Sequence, residues 1–232
     1  MTTPAARAPL TLPSPAPLAP PEDWPSRLAS IGVALAPETV ATLGDFLARL
    51  LAMNAQMNLT AITTPAEAWT RHILDALTLL PALRALRTGA RVVDVGSGGG
   101  VPAIPLAIAL PELRFTLVEA TQKKAWFLTE VSRALRLGNV TVHPERAEVL
   151  ASGPLARSYD AVTARAVAKL DALLPWTAPL ARPGAMLLFI KGARADEELR
   201  EARKIAARLD CRHHSTTLTS TGRVVRFTVG PA

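Results

Sequence analysis

The chain carries one cysteine in 232 residues, Cys211, so no internal disulfide can staple it and a reducing compartment is expected. Cys211 itself reads as an ordinary small side chain. The four histidines are scattered, and the adjacent His213-His214 lacks the spacing of zinc ligands, so no metal site is expected. No apolar run reaches the roughly eighteen residues of a membrane span. The best, Val101–Leu110, is short and holds two prolines. No basic region followed by an apolar block opens the sequence, so no secretory leader is expected, and a cytoplasmic location without a membrane partner follows. There is no internal repeat, and nothing points to a protein partner.

What is present supports a sizeable core. Hydrophobic residues make up 49% of the chain, enough for one α/β domain with an N-terminal extension, or two small domains. The net charge is +7 and the sequence pI near 10.5. Of 26 basic residues, 21 are arginine, a side chain suited to phosphates and guanine edges. Alanine and proline are abundant too, as codon bias would make them, so charge alone does not choose a nucleic-acid partner.

Residues 1–25 hold eight prolines and are expected to form an extended, disordered tail. Residues 26–87 read as a helical segment. Val40, Leu43, Leu47, Leu50 and Leu51 define one helical face from Pro37 to about Ala55. Thr64-Pro-Ala-Glu67 predicts a capping box with proline at the first helical position. The next face is Trp69, Ile73, Leu74, Leu77 and Leu80, stopped by Pro81, with His72 and Asp75 an expected intrahelical pair.

Residues 88–232 alternate in a different way. Strands are predicted at Arg91–Val95, Phe115–Glu119, Val140–His143, Tyr159–Thr163 and Ala185–Ile190. Helices fall between them, including Lys123–Leu137 and a helix over 169–180 interrupted by Pro175 and Pro179. A charged helix Asp196–Leu209 follows, then a hairpin of His213–Thr219 and Arg223–Val229 around Ser220-Thr-Gly222. The expected fold is α/β: a mostly parallel sheet with one antiparallel strand at its end, a pattern that resembles the methyltransferase variant of the Rossmann-like architecture.

The stretch Asp94-Val-Gly-Ser-Gly-Gly-Gly100 follows the first strand and admits two registers. One is the D-x-G-x-G-x-G turn of S-adenosylmethionine enzymes. The other, Gly98 to Ala103, is the dinucleotide G-x-G-x-x-A. In a dinucleotide fold the first glycine follows the strand directly, and here that glycine is Gly96. Counted from Gly96, the small residue due at 101 is Val101, and Pro102 suits poorly a helix start that must cradle a pyrophosphate. The S-adenosylmethionine register is favoured. Glu119 ends the second strand, where a carboxylate accepts ribose hydroxyls. Glu148, after the third strand, is placed to flank an adenine.

After the fourth strand there is no Asn-Pro-Pro-Tyr, the usual holder of an exocyclic amine, and no cysteine for a covalent base adduct. The chain has Thr163-Ala-Arg-Ala166 instead. A ring nitrogen with a free lone pair, such as guanine N7, needs no deprotonation, and positioning with electrostatics then carries catalysis.

Met57-Asn-Leu-Thr-Ala-Ile62, Arg71-His-Ile-Leu-Asp75, Asp94–Pro105, Lys123-Lys-Ala-Trp-Phe-Leu128, Arg146-Ala-Glu148, Tyr159–Ala166 and Lys191-Gly192 together resemble the glucose-inhibited division protein B (RsmG) family, over about residues 35–229. The resemblance implies a 16S ribosomal RNA guanine-N7 methyltransferase acting at guanine 527 (standard rRNA numbering) with S-adenosyl-L-methionine. The substrate would be 16S rRNA or the small ribosomal subunit particle. It implies that Gly96 and Val101 contact the cofactor at the turn, Ala147 and Glu148 hold the adenosine, and Arg165 faces the methyl-donor site as a positioning candidate. No catalytic residue is assigned with certainty. Asn58, Arg71, His72 and Asp75 would shape the site or meet RNA, and Arg71, Lys123, Lys124 and Arg223 are the candidate RNA contacts. Three features depart from the family pattern: Ala103 in place of glycine, Met53 and Met57 in place of aromatics, and the proline-rich tail. Two other readings stay open: a nicotinamide-dependent oxidoreductase in the 98–103 register, and a non-catalytic RNA-binding protein that retains the cofactor pocket.

Overall fold

The computed structural model describes residues 10–230. Seven strands form one sheet in the order β3-β2-β1-β4-β5-β7-β6. They are β1 Arg91–Val95, β2 Arg114–Val118, β3 Val140–His143, β4 Tyr159–Arg165, β5 Ala181–Lys191, β6 Cys211–Leu218 and β7 Arg223–Val229. β1 to β5 pair in parallel. β7 runs antiparallel to β5 and to β6. The antiparallel strand is therefore one place in from the edge, because β7 slots between β5 and β6. Central strands read as near-continuous apolar runs, as sheets covered on both faces require; β4 is buried from Tyr159 to Ala164.

One face is covered by α1 (Trp24–Ser30), α2 (Pro37–Met57), the helical run Pro65–Leu83, α6 (Ala103–Ala109) and α7 (Gln122–Ala134). Here Trp24, Phe46, Leu50, Trp69 and Leu77 share a single core with Val92, Ile104, Leu117 and Leu188. Trp24 and Trp69 meet edge-to-face, centroids 4.8 Å apart. Each such side chain, fully buried, contributes about 1.5–3 kcal/mol. Met53 is buried in this core, Met57 packs against it partly buried, and Ala103 is fully buried in α6. The other face is covered by α8 (Ala147–Ala151), α9 (Leu170–Thr177), α10 (Ala195–Glu201) and α11 (Arg203–Arg208).

Of the expected proline-rich tail, residues 1–9 lie outside the described residues. From Leu10 to Pro21 the chain takes no helix or strand, yet it is packed on α2: Leu18 N–H donates to the Gly44 carbonyl (3.1 Å), and Arg49 donates to the Pro13 carbonyl (3.1 Å). A Cβ at Gly44 would stand 2.3 Å from the Leu18 carbonyl oxygen, so only glycine admits the strand of chain there.

Several local expectations are corrected. Thr64 does precede α3 (Pro65–Ala68), with proline in its first turn, but no capping box forms because no side-chain bond caps it. The helix over 69–80 is not uniform: Trp69–Leu74 is a π-helical turn, followed by α4 (Asp75–Leu77). Pro81 opens a new turn, α5 (Leu80–Leu83), rather than ending the old one. The charged helix over 196–209 breaks at Ala202 into α10 and α11.

Candidate functional site

The site forms where β1 and β4, neighbours in the sheet, both end. Beyond β1 the backbone passes through left-handed conformations at Gly96 (φ +70°), Gly98 (+54°) and Gly100 (+86°), which side-chain-bearing residues rarely adopt. At Gly96 the resemblance implies a cofactor contact, which bare backbone would admit. The structure adds a nearer cause: a Cβ there would lie 2.8 Å from a methyl of Val167, in the loop after β4. Gly99 is pressed from the other side, where a Cβ would meet Leu50 (3.1 Å) and the Leu59 carbonyl (3.2 Å). The Asn58-Leu59-Thr60 motif therefore lies against the turn itself. Val101 is buried beside it, and the Val101–Pro102 peptide is cis.

Beneath the turn, Asp94 is 1% exposed. Thr163 on β4 donates to its Oδ1 at 2.7 Å, while Oδ2 has no hydrogen-bond partner among the described residues. Burial pushes the Asp94 pKa up to about 6, against the pull of Thr163 and of the Arg165 charge. A buried acceptor without a donor is costly, about 1–3 kcal/mol.

Glu119, just beyond β2, is buried too. Its Oε2 accepts Gly98 N–H (2.9 Å) and its Oε1 accepts Thr121 N–H (2.8 Å), so the carboxylate pins the glycine turn to the end of β2. Each of its oxygens keeps a further lone pair. Ala147 is buried at the start of α8, and Glu148 next to it is exposed.

Arg165 closes β4, and its guanidinium reaches the N-terminal helices. Nη1 donates to the Arg71 carbonyl and Nη2 to His72 Nδ1 (3.0 Å), with Asp75 Oδ2 3.9 Å from Nη1. His72 and Asp75 are therefore not the intrahelical pair the spacing suggested; each turns to residues distant in sequence. Asp75 Oδ1 accepts the hydroxyl of Thr221, from the β6–β7 turn. Burial raises the Asp75 pKa to about 6, opposed by Arg165 and Arg71. Burial first, and then the Arg165 charge, lowers that of His72 to about 4, so its imidazole is neutral. Arg165 is itself lowered by burial, with Asp75 and Asp94 opposing.

A second buried pair supports the loop after β4. Lys191, at the end of β5, donates to the Ala168 carbonyl (2.6 Å) and meets Glu198 of α10 at 2.7 Å. Glu198 in turn accepts Leu170 N–H, the first amide of α9 (3.1 Å). Lys191-Gly192 thus holds the segment that sets Val167 on Gly96.

The structure brings Gly96, Val101, Glu119 and Arg165 to one end of the sheet and separates the RNA candidates. The Arg71 side chain is exposed and pairs with Glu67 (3.1 Å), its carbonyl alone serving Arg165. Lys123 is exposed, and Lys124 half-buried, at the start of α7. Arg223 is already engaged, by Asp196 (3.2 Å) and the Ala193 carbonyl (2.9 Å), which weakens it as a phosphate contact. Sequence reasoning missed Thr221 and the role of Lys191. Gly222, where a Cβ would meet the Lys191 carbonyl at 2.3 Å, marks that packing, and it is legible only in three dimensions. Among the described residues no cluster of metal-binding side chains occurs, and no helix is long and apolar enough to cross a membrane.

Comparison with known proteins follows the same lines. The GidB family model, described as rRNA small subunit methyltransferase G, matches residues 39–225. A protein of Sorangium cellulosum named ribosomal RNA small subunit methyltransferase G is 56% identical over 222 residues, covering 96% of this chain and 93% of its own. One of the same name from Roseiflexus castenholzii is 44% identical, covering 78% and 76%. Among solved structures, an O-methyltransferase from Bacillus cereus in complex with SAH superposes with a TM-score of 0.58 at 16% identity, over 88% of this chain and 96% of that one. A SAM-dependent O-methyltransferase from Thermotoga maritima gives 0.56 at 16%, over 79% and 72%. At such identities these two speak for the fold alone.

Proposed function

Since the chain belongs to the rRNA small subunit methyltransferase G family, we propose that it transfers a methyl group from S-adenosyl-L-methionine to guanine N7 at position 527 of 16S rRNA, in the cytoplasm. The observation that carries the cofactor reading is Asp94: a buried carboxylate with a free oxygen, beneath three left-handed glycines. The residues present fit such a group. Asp94 Oδ2 meets a donor, Glu119 has lone pairs for ribose hydroxyls, Gly96 and Val101 line the turn, and Ala147 with Glu148 flank the nucleoside.

S-adenosylmethionine, when bound, supplies a methyl on a positively charged sulfur. Guanine N7 offers a lone pair and no proton, so methylation there would require no side chain to accept a proton. The work left to the protein is orientation and field. Asp75, 3.9 Å from Nη1, and Asp94 both place negative charge near Arg165 at the end of β4. His72 remains neutral and adds no charge. Exposed Lys123 and half-buried Lys124 are the phosphate contacts this reading retains, drawing RNA to the same end of the sheet.

Calorimetric titration with S-adenosylmethionine and with NAD tests the cofactor; binding of NAD alone would favour an oxidoreductase. Chemical cleavage at 7-methylguanosine, on 16S rRNA from cells with and without the gene, tests the reaction. An unchanged pattern would leave an RNA-binding protein without catalysis.

A further inference from the structure

We infer that His72 is a positioning residue for Arg165: its Nδ1 fixes the guanidinium at the end of β4, and its Nε2–H is held in turn by Thr60. The inference rests on the proposed meeting of Arg165 with the cofactor.

The geometry begins with the π-helical turn Trp69–Leu74. A π turn holds more residues per revolution than an α turn, which shifts its side chains and carbonyls relative to the flanking helix, and such turns are frequent at functional sites. Here it presents two consecutive acceptors, the Arg71 carbonyl and His72 Nδ1, to the two terminal nitrogens of Arg165. Guanidinium only donates, so Nδ1 must be unprotonated and the proton must sit on Nε2. Nε2 faces Thr60 Oγ1 at 2.9 Å, which accepts it. Thr60 is itself tied down: its Oγ1 accepts Ile62 N–H (3.0 Å), and its own N–H donates to Asn54 Oδ1 (2.8 Å). Arg165 is thus oriented by a relay that runs back to α2. Burial of His72, 1% exposed, keeps water from competing for either nitrogen.

The role is one of orientation, so a side chain that keeps the acceptor should substitute. In His72→Asn the amide oxygen stands near the Nδ1 position; in His72→Gln the amide reaches toward Nε2; His72→Leu offers neither. Titration calorimetry with S-adenosylmethionine reads the effect, and thermal melting checks the fold. His72→Asn is expected to stay within about 3-fold of the parent affinity, whereas His72→Leu and His72→Gln weaken it about 10-fold. On an Arg165→Ala background, His72→Leu should change affinity less than about 2-fold, because the group through which it acts is gone. Equal losses from His72→Leu with and without Arg165, or an Asn variant as poor as the Gln variant, would overturn the inference. If His72→Leu does not fold, the Asn and Gln pair still decides it. A parent protein that binds no S-adenosylmethionine overturns the functional reading and this inference together; a parent that binds without the coupling overturns this inference alone.

Discussion

Thr163 and Asp94 are register partners on neighbouring parallel strands, and the Thr163 hydroxyl donates to Asp94 Oδ1 while Oδ2 is left without a partner. The carboxylate is held in place by the sheet itself, one oxygen used and one free. Its cost and its use both follow from that asymmetry.

In the folded chain the Asp94 pKa is raised from 3.8 to about 6, so this group's contribution to stability is full below the unfolded value and is lost as pH rises through the folded one. Asp94→Asn keeps the Thr163 bond and removes the ionisation. It should exceed the parent in stability by ~2 kcal/mol at about pH 8, with the difference fading toward about pH 4. It should also bind S-adenosylmethionine more weakly, since an amide donor then occupies the place of the free acceptor. Melting curves across pH, without ligand, check the first part; a variant less stable than the parent at pH 8 would show that Asp94 is not the strained group described.

Gly96 is the second test. Alanine there faces both a left-handed backbone and the methyls of Val167. The backbone alone costs about 1–2 kcal/mol, so Gly96→Ala should melt below the parent. Gly96→Val should abolish cofactor binding. Adding Val167→Ala to Gly96→Ala should recover only the steric part; full recovery would mean the left-handed conformation is not needed.

The Lys191–Glu198 pair is buried on both sides, at 7% and 12% side-chain exposure. Removing one partner strands the other charge, so Lys191→Met should destabilise by about 3–5 kcal/mol. Lys191→Met combined with Glu198→Leu should be markedly less harmful. Equal damage from the single and double changes, read by urea unfolding, would count against the pairing.

RNA affinity should depend on salt through the free charges and not through the engaged one. Lys123→Ala with Lys124→Ala should reduce the slope of log affinity against log salt by about 1.5, whereas Arg223→Gln should change it little. A larger slope change from Arg223 would mean that its bond to Asp196 opens when RNA binds.

The elements that carry the site were legible where chemistry and pattern coincide. Asp94 through Gly100 announced a turn because four glycines crowd one place, and the strands beside it announced themselves as short apolar runs. What escaped was everything decided by packing between distant segments. The spacing of Trp69, Ile73 and Leu74 suits an α-helix and a π turn alike, so the shift that turns Arg71 and His72 toward Arg165 has no sequence signature. Asp75 and Thr221 are 146 residues apart, and only the fold makes them neighbours. The terminal hairpin was readable from its turn, but not that its second strand would enter the sheet first: β7 supplies the apolar side chains Val225 and Phe227 to the core, whereas β6 is largely exposed.

That ordering carries a consequence for how the enzyme is made. A ribosome delivers β6 before β7, so β6 has no strand to pair with until β7 follows it. The open edge of β5 and an Asp75 still lacking Thr221 persist until residues past 220 have emerged. A nascent chain therefore lacks the Thr221–Asp75 bond, and the strand that covers the edge of β5, until nearly all of it has been made.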